Sequence, residues 1–299
     1  MESEPGIEVL PSSNEQDGRV RDCANPKSFQ PPRVRALEQI RRMRGGSQSH
    51  LMRCSDGHYY VVKFLNNPQG ARVVRNELLA HGIASALGLP IPPCALVNVG
   101  QELIELTTEL RIERPREYIT CPCAPGMGFG SRWAANTWDI PFGLPPGPVE
   151  NLEDFWGMCV FDVWVCNLDG RQVIFTKTDC GYYRMSMIDN GFCFSAEEWT
   201  THVNSRKMAL FQGLHAYTKL KDTRSIEQCL SLCEPCLSLI ENGFSVEGLQ
   251  SLTRSIPSEW LTTAEPLEPL LAALNSRRSL VRHFLEEALC SYLRTNMRS

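Results

Sequence analysis

The sequence predicts an α+β protein made of two parts, a small antiparallel sheet with one helix followed by a mainly helical region. Two β-rich runs flank Ser55–Gly57, and Asp-Gly between such runs is a strong short-range signal of a hairpin. From Leu152 to Val163, and again from Leu280 to Tyr292, apolar residues recur at helical spacing. These signals predict a first part over residues 34–112 and a second part over residues 113–299.

Size and charge limit the classes of partner. The chain has 299 residues, a formal net charge of −4 and a pI near 5.9. A chain of this length can bury a full core in one large domain or two modest ones. Binding to nucleic acid or to an anionic membrane needs clustered positive charge. Neither is therefore expected as a partner.

The amino-terminal segment and the cysteines indicate the compartment. Residues 1–33 are polar and acidic, which predicts a disordered tail and not a signal peptide. The thirteen cysteines are scattered without the spacing of a disulfide framework. The most apolar run, Phe155–Leu168, is too short for a membrane span and contains Asp162, because a spanning helix needs about 20 mostly apolar residues. We therefore expect a cytoplasmic protein.

The first part holds the predicted sheet and its helix. Arg35–Arg44 is basic and is interpreted as a helix that ends at a glycine-containing turn. Asn67 and Pro68 are typical of a helix start, and the helix is expected to end at Gly88. Two further strands are predicted, in the runs CALVNV and ELIELTTEL.

The second part begins with a segment rich in glycine and proline. Cys121–Pro148 is interpreted as a long loop, too long for an idle connector. A buried helix follows, with Asn151 as its cap and Asp154 at its third position. After that helix the runs QVIFT and YYRMSMI form a second predicted hairpin, which leads directly into Asp189.

The glycine-containing turn is the first of several features that suit phosphoryl transfer. This reaction needs backbone donors over the phosphates, a lysine held by a glutamate, and carboxylates at the attacking hydroxyl and at the metal. Gly45, Gly46 and Ser47 allow backbone N–H groups to approach phosphate oxygens, because the glycines have no side chain that would block the approach. A plain turn is the alternative interpretation.

Lys63 and Glu77 are the candidate lysine and glutamate. Strand alternation directs Lys63 to one face among apolar neighbours, and Glu77 lies fourteen positions on, in the next helix. A surface lysine and a solvated glutamate are the alternatives. The pair together favours an ion pair in a functional site.

Two aspartates complete the set. Asp169 follows the buried helix, in the position of a carboxylate that accepts the proton of a substrate hydroxyl. Asp189 precedes Asn190-Gly191, where glycine lets the backbone turn away from a metal-binding carboxylate. Each alone is also typical of a turn. Two such motifs separated by one hairpin favour the functional interpretation.

This organisation resembles the HipA-like kinases, relatives of the atypical kinases that include the phosphoinositide kinases. The similarity is carried by five segments that span roughly residues 34–262: RRMRGGSQSH, HYYVVKF with ELLAHGIASALGLPIPP, FDVWVCNLDGRQ, YRMSMIDNGFCF and IPSEW. The resemblance implies a two-lobed, protein-kinase-like fold. Its N-lobe would be the small antiparallel sheet with one helix, and its C-lobe the mainly helical region.

The resemblance also implies roles for the candidate residues. Gly45, Gly46, Ser47, Gln48 and Ser49 would cover the phosphates of ATP. Lys63, oriented by Glu77, would bind the α- and β-phosphates. Asp169 would be the catalytic aspartate, and Asp189 would bind Mg²⁺.

One position departs from the pattern of the wider group. Many members have an asparagine about five residues after the catalytic aspartate that holds a second metal, and Ile174 stands there in this sequence. Gln172 or Asn167 is the candidate substitute as a metal ligand.

The sequence thus predicts an ATP- and magnesium-dependent phosphotransferase. By family analogy its acceptor is a protein serine or threonine hydroxyl, while a small molecule or a lipid headgroup stays open as acceptor. The alternative is a nucleotide-binding switch or pseudokinase that has lost turnover, suggested by Ile174. A scaffold is a third interpretation. An antitoxin-like partner is a further possibility of the resemblance.

Two other groups have structural interpretations. Cys229, Cys233 and Cys236 recur at i, i+4 and i+7, which favours core packing over a zinc site shared with the Cys121-Pro122-Cys123 run. Asp162 lies inside an apolar helix and needs a partner there. Backbone donors of the following loop are expected to supply it.

Overall fold

A computed structural model describes residues 29–114, 117–135, 137–139, 145–194, 225–261 and 267–296. The chain is an α+β protein, with most of its strands in the first half and most of its helices in the second, as predicted. Residues 1–28 of the predicted tail lie outside the described residues, and Arg33 already begins a strand. Within the described ranges, no helix has the length and apolarity needed to cross a membrane.

The elements follow one another in this order. The first part contains β1 (Arg33–Arg42), β2 (His50–Cys54), β3 (Tyr59–Lys63), α1 (Ala71–Ala86), β4 (Cys94–Val99), α2 (Gln101–Leu106), β5 (Arg111–Arg114), β6 (Ile119–Pro122) and β7 (Gly126–Arg132). The second contains β8 (Thr137–Asp139), α3 (Asp154–Val165), β9 (Gln172–Lys177), β10 (Tyr183–Ile188), α4 (Ile226–Gly243), α5 (Val246–Thr253), α6 (Leu267–Arg277) and α7 (Val281–Asn296).

A small closed barrel forms the first part, in the order β1-β2-β3-β7-β4. The strands pair antiparallel except β1 with β4, which run parallel. Val62, Ala95 and Val97 belong to the buried core of this barrel. Strands β5 and β6 form a separate two-stranded hairpin inserted between β4 and β7.

Strand β7 corrects the predicted loop over Cys121–Pro148. A Cβ atom added at Gly130 would lie 2.6 Å from Val97 Cγ2, and one at Gly128 would lie 2.8 Å from the carbonyl oxygen of Lys63. The glycines of β7 therefore permit close backbone approach in a narrow barrel and do not mark a loop. Because β7 is a barrel strand, the predicted boundary at residue 112 leaves part of the sheet out.

Two further predictions of secondary structure were wrong. Arg35–Arg44 is mostly strand β1 and not a helix, because Val34 and Ala36 alternate inward with period two. The run ELIELTTEL forms the short helix α2 and not a strand. Only Ile104 of α2 is buried, so the apolar pattern over this run was too weak to distinguish the period of a helix from the alternation of a strand.

Helix α1 begins later than predicted. It starts at Ala71 after Gly70, whose φ is +92°, while Asn67 closes the preceding turn by donating to the carbonyls of Phe64 and Gly70. The helix packs against the second part of the chain, since a Cβ at Gly82 would lie 3.0 Å from Leu252 of α5. The indole of Trp260 also donates to the carbonyl of Met127 on β7, at 2.9 Å.

Helix α3 is the centre of the second part. Nearly all its side chains are buried, and it packs against α4, α6 and α7. Its start at Asp154 lacks a side-chain cap; the predicted cap, Asn151, instead donates to the Asp154 carboxylate and to the carbonyl of Met185. The buried thiols of Cys233 and Cys236 donate to the α3 carbonyls of Trp156 and Gly157, which supports the packing interpretation.

The narrow barrel predicts the effect of adding one methyl group. Gly130→Ala places a Cβ against Val97 and Tyr60, and overpacking of this kind costs about 1–3 kcal/mol. Thermal unfolding should show a melting temperature lowered by a few degrees. The matched variant is Gly243→Ala, at a helical position with open space around the added Cβ. It should be neutral or slightly stabilising, and equal losses from both variants would contradict the barrel packing.

Candidate active site

The end of α3 and the β9–β10 hairpin bring the two candidate aspartates together. Cys166 ends α3 in the left-handed region, with φ +55°, and the chain turns there toward Asp169. Asp189 follows β10, also in the left-handed region at φ +57°, which Asp tolerates better than most residues. The N–H of Leu168 donates to the carbonyl of Phe192 at 3.0 Å. The two loops are therefore bonded side by side.

Lys63 lies at the centre of the site. Its Nζ donates to Glu77 Oε1, and to Asp189 Oδ1 at 2.8 Å. Glu77 Oε2 accepts from the backbone N–H of Asn190 at 3.0 Å. Lys63 is 7% exposed and Glu77 is 2% exposed, so neither is a solvated surface group.

Burial and charge oppose each other at these three groups. Burial raises the pKa of Glu77, and the nearby Lys63 only partly offsets that rise. Burial lowers the pKa of Lys63, but attraction to Glu77 and Asp189 outweighs it and leaves that pKa raised. Burial alone would raise the pKa of Asp189, whereas Lys63 pulls it below its usual range. The lysine therefore stays cationic between two acids.

Gln172 lies between the two aspartates. Its Nε2 is 3.4 Å from Asp169 Oδ2 and 3.4 Å from Asp189 Oδ2. Asp169 is held from the other side, because its Oδ1 accepts the N–H of Gly170 at 2.8 Å. One oxygen of each carboxylate therefore lies next to the same amide nitrogen.

The other candidate metal ligand, Asn167, is buried and internally bonded. Its Nδ2 donates to Asp162 Oδ1 at 3.0 Å, and its Oδ1 accepts from the N–H of Asp169 at 3.1 Å. Its amide therefore shapes the loop that carries Asp169. Ile174 lies on β9, two residues beyond Gln172 and on the same side of that strand.

Arg171 was missed by sequence reasoning. Its guanidinium binds both carboxylate oxygens of Asp162, and donates to the carbonyl of Ile188 at 3.1 Å and to Asn190 Oδ1 at 2.8 Å. The partner predicted for Asp162 was wrong: side chains of Arg171 and Asn167 fill that role, not backbone donors. An aspartate buried in an apolar helix was itself a signal that a cation had to be near.

Helix α1 supplies a second residue that was missed. Asn76 Nδ2 donates to the carbonyls of Gly191 and Cys193, each at 2.9 Å. A Cβ at Gly191 would lie 2.6 Å from Val73 Cγ1, so glycine is required where the segment passes α1. Asn76 and Glu77 together fasten the Asp189–Gly191 segment to this helix.

The glycine-containing loop is a tight turn between β1 and β2. The N–H of Gln48 donates to the carbonyl of Gly45 at 3.2 Å, and that of Met43 to Ser49 at 2.8 Å. Gly45 has φ +123° and Gln48 has φ +48°. Ser47 and Ser49 are buried. The side chain of Gln48 is directed to β5 and bonds the backbone of Glu113.

A cavity of about 340 Å³ lies where the chain passes from the barrel to the second part. It is lined by three short segments, which are Ile91–Pro93, Arg132–Ala134 and, on the β9–β10 hairpin, Ile174, Thr176 and Ser186. Ile174 and Thr176 are on the same side of β9 as Gln172, because side chains two residues apart share a face. The face of the hairpin that lines the cavity therefore continues to Gln172, which lies near both aspartates.

These features together are typical of one class of protein. A buried lysine between a helix glutamate and a loop aspartate, beside a second aspartate and a glycine-containing turn, is the arrangement of a kinase. A family model described as HipA-like kinase matches residues 37–290. The chain belongs to the HipA-like kinase family, which confirms the predicted resemblance.

Solved kinase structures are also similar to this chain, at 11% sequence identity. The Helicobacter pylori proinflammatory kinase CtkA has a TM-score of 0.47, with 82% of this chain and 94% of that chain covered. A Golgi casein kinase with Mn and ADP bound has a TM-score of 0.47, with 88% and 74% covered. Another structure of a Golgi casein kinase has a TM-score of 0.48, with 89% and 75% covered. A comparison with curated protein sequences gives no match.

The Asp162–Arg171 pair predicts a test of the network. Arg171→Met leaves a buried carboxylate without its cation, which costs about 3–5 kcal/mol. In the double variant Asp162→Leu with Arg171→Met, the loss should be smaller than in the single variant, because no uncompensated charge remains. Urea denaturation measures both.

The matched surface variant is Arg282→Met. Arg282 pairs with Glu234 and Glu241, but its side chain is 36% exposed, so its loss should cost about 1 kcal/mol or less. A single Arg171 variant no less stable than the Arg282 variant would contradict the account of the buried pair.

Proposed function

We propose that this HipA-like kinase is an ATP- and magnesium-dependent phosphotransferase. The observation that carries the proposal is Lys63, buried and held between Glu77 and Asp189. A lysine fixed in this way presents a permanent positive charge at a set position. That is what the phosphates of a nucleotide need from a protein.

The barrel, from Arg33 to Arg132, would then be the N-lobe, and the region from Thr137 onward the C-lobe. In this arrangement, backbone N–H groups of Gly45–Ser49 cover the phosphates and Lys63 binds the α- and β-phosphates. Ser47 and Ser49 are buried and Gln48 is bonded to β5, which supports a role for the backbone of this turn more than for its side chains.

Asp169 is the proposed group that accepts the proton of the substrate hydroxyl. It is partly exposed, and Asn167 and Gly170 fix its loop. A general base needs both access to the acceptor and a fixed orientation. The acceptor we propose is a serine or threonine of a protein, by analogy with the family. An antitoxin-like partner stays a prediction of that analogy.

The metal would be held by Asp189, with Asp169 and the amide of Gln172 beside it. Among the described residues, no three His, Cys, Asp or Glu side chains cluster to hold a metal. This donor set fits Mg²⁺, which usually binds through one or two carboxylates together with phosphate oxygens and water. When bound, the metal would neutralise phosphate charge. Asn167 is a weaker candidate than Gln172, because its amide oxygen, the atom that would bind a metal, already accepts the N–H of Asp169.

The cavity beside Ile174 is the proposed site of the nucleotide base. Its lining combines apolar residues, among them Ile91, Trp133 and Ile174, with the polar Arg132, Thr176 and Ser186, and a site for a flat heterocycle needs both kinds of group. Residues Gln172 and Ile174 are about 7 Å apart along one face of β9. A nucleotide with its base here therefore directs its phosphates along the hairpin toward Asp189.

A nucleotide-binding switch without turnover is the second candidate. Ile174 offers no metal ligand where the wider group has asparagine, and the amide of Asn167 is already bonded. For either function we propose a cytoplasmic location, on the basis of described cysteines that are free and mostly buried thiols.

The two aspartates should separate binding from transfer. ATP with Mg²⁺ should stabilise the parent protein, by about 2.7 kcal/mol at a ligand concentration of 100 Kd. Asp169→Asn should keep this stabilisation and lose transfer by about 10²–10⁴-fold. Asp189→Asn should lose the magnesium-dependent part of the stabilisation. Thermal shift and transfer of the γ-phosphate measure the two effects.

Asp179→Asn is the control, at an exposed position in the β9–β10 turn, and it should behave as the parent. Binding without transfer in the parent would favour the switch. A parent that ATP and Mg²⁺ do not stabilise at any concentration would remove the basis for both candidates.

The base site predicts a separate variant. Ala134→Trp fills the cavity and should raise the KM for ATP about tenfold or more, which corresponds to about 1.4 kcal/mol. Tripolyphosphate with Mg²⁺ should still stabilise this variant, since its phosphates do not use the cavity. Leu106→Trp, at a position 78% exposed on α2, is the control. An unchanged KM in the Ala134 variant would place the base elsewhere.

A further inference from the structure

The β5–β6 hairpin lies outside the barrel, yet both of its strands are hydrogen-bonded to turns of the barrel. One is the Gly45–Ser49 turn before β2, and the other follows β3, the strand that ends at Lys63. On the first strand, Gln48 Nε2 donates to the carbonyl of Glu113 at 2.7 Å, and the N–H of Glu113 donates to Gln48 Oε1 at 2.8 Å. The amide thus pairs with both polar groups of one backbone residue, as a neighbouring strand would.

The second strand is held in a similar way. Asn66, three residues after Lys63, donates from Nδ2 to the carbonyl of Pro122 at 2.8 Å, and its Oδ1 accepts from the N–H of Ala124 at 2.8 Å. Again one amide uses its donor and its acceptor on backbone groups. The turn that follows β3 is therefore fastened to the end of β6.

The two loops also meet each other. A Cβ atom at Gly46 would lie 2.8 Å from Gln69 Nε2, so the turn before β2 packs on the turn after β3. Arg42, at the end of β1, binds the Glu113 carboxylate at 2.7 Å and 3.4 Å. Glu113 is therefore contacted both by the strand that leads into the glycine-containing turn and by that turn itself.

We propose that the β5–β6 hairpin is a brace that positions the Gly45–Ser49 turn over the nucleotide, with Gln48 and Asn66 as its positioning residues. The effect on the KM for ATP that this brace predicts rests on the proposed function. In the proposed function, the turn contributes only backbone N–H groups to the binding of the nucleotide. Gln48 has φ +48°, and two hydrogen bonds of its side chain hold it in that conformation. Without the brace, the turn must be ordered by the nucleotide at binding.

This mechanism separates KM from kcat. None of the hydrogen bonds described for the brace reaches Lys63 or the aspartates. Its loss should therefore lower the fraction of molecules whose turn is ready to bind ATP, and leave the groups that transfer the phosphate in place. Gln48→Ala removes two hydrogen bonds and should raise the KM for ATP roughly tenfold. The kcat at saturating ATP should change by less than about twofold.

Asn66→Ala is the second variant and should show the same split. Gln101→Ala is the matched control: Gln101 Nε2 donates to Glu105 within α2, so this variant removes an exposed amide hydrogen bond that does not hold β5 or β6. It should match the parent in KM and kcat. Melting temperatures of the three variants should lie within a few degrees of one another, since Gln101 is exposed and Gln48 and Asn66 are only half-buried.

Hydrogen exchange of the 43–50 segment tests the brace without any nucleotide. Faster exchange in Gln48→Ala than in Gln101→Ala, together with a raised KM, is the expected result. Unchanged exchange, or faster exchange with an unchanged KM, would overturn the proposal. A parent protein that binds no ATP would instead refute the proposed function, and the exchange data would still decide whether the hairpin restrains the turn.

Discussion

The buried ion pair between Lys63 and Glu77 is the interaction on which the other parts of the site depend. A charge removed from water must be paired and hydrogen-bonded, and Lys63 satisfies this need with two carboxylates, from Glu77 and Asp189. The pair therefore requires that β3, α1 and the end of β10 meet at one point. A change in any of the three would leave a buried charge without its partner.

A second buried pair extends this constraint to the rest of the site. Arg171 joins Asp162 on α3 to Asn190, whose backbone N–H is bonded by Glu77. Lys63 and Asp162 therefore belong to one continuous chain of charge-assisted bonds. Such bonds are strong in a low-dielectric interior and costly to break singly. The loops that carry Asp169 and Asp189 keep their relative placement for this reason.

Much of the fold followed from local patterns. The hairpin at Asp56-Gly57, strand β4, the β9–β10 hairpin and the last helix are all confirmed, since each has a clear period or turn. The errors fell where a local signal had two meanings. The glycines of β7 suggest a loop until Val97 is seen against Gly130, and the basic run of β1 fits a helix until its pairing with β2 and β4 is known.

By itself, the sequence determined which residue types the candidate site contains and their order along the chain, from Gly45 to Asp189, and its motifs identified the family. Only the tertiary structure decided their partners. Asp189 shares the lysine, Arg171 holds Asp162, and Gln48 is bonded to β5. These contacts join residues distant in sequence, and no local spacing encodes them. They arise because burial forces each polar group to find a partner among whatever the fold brings near.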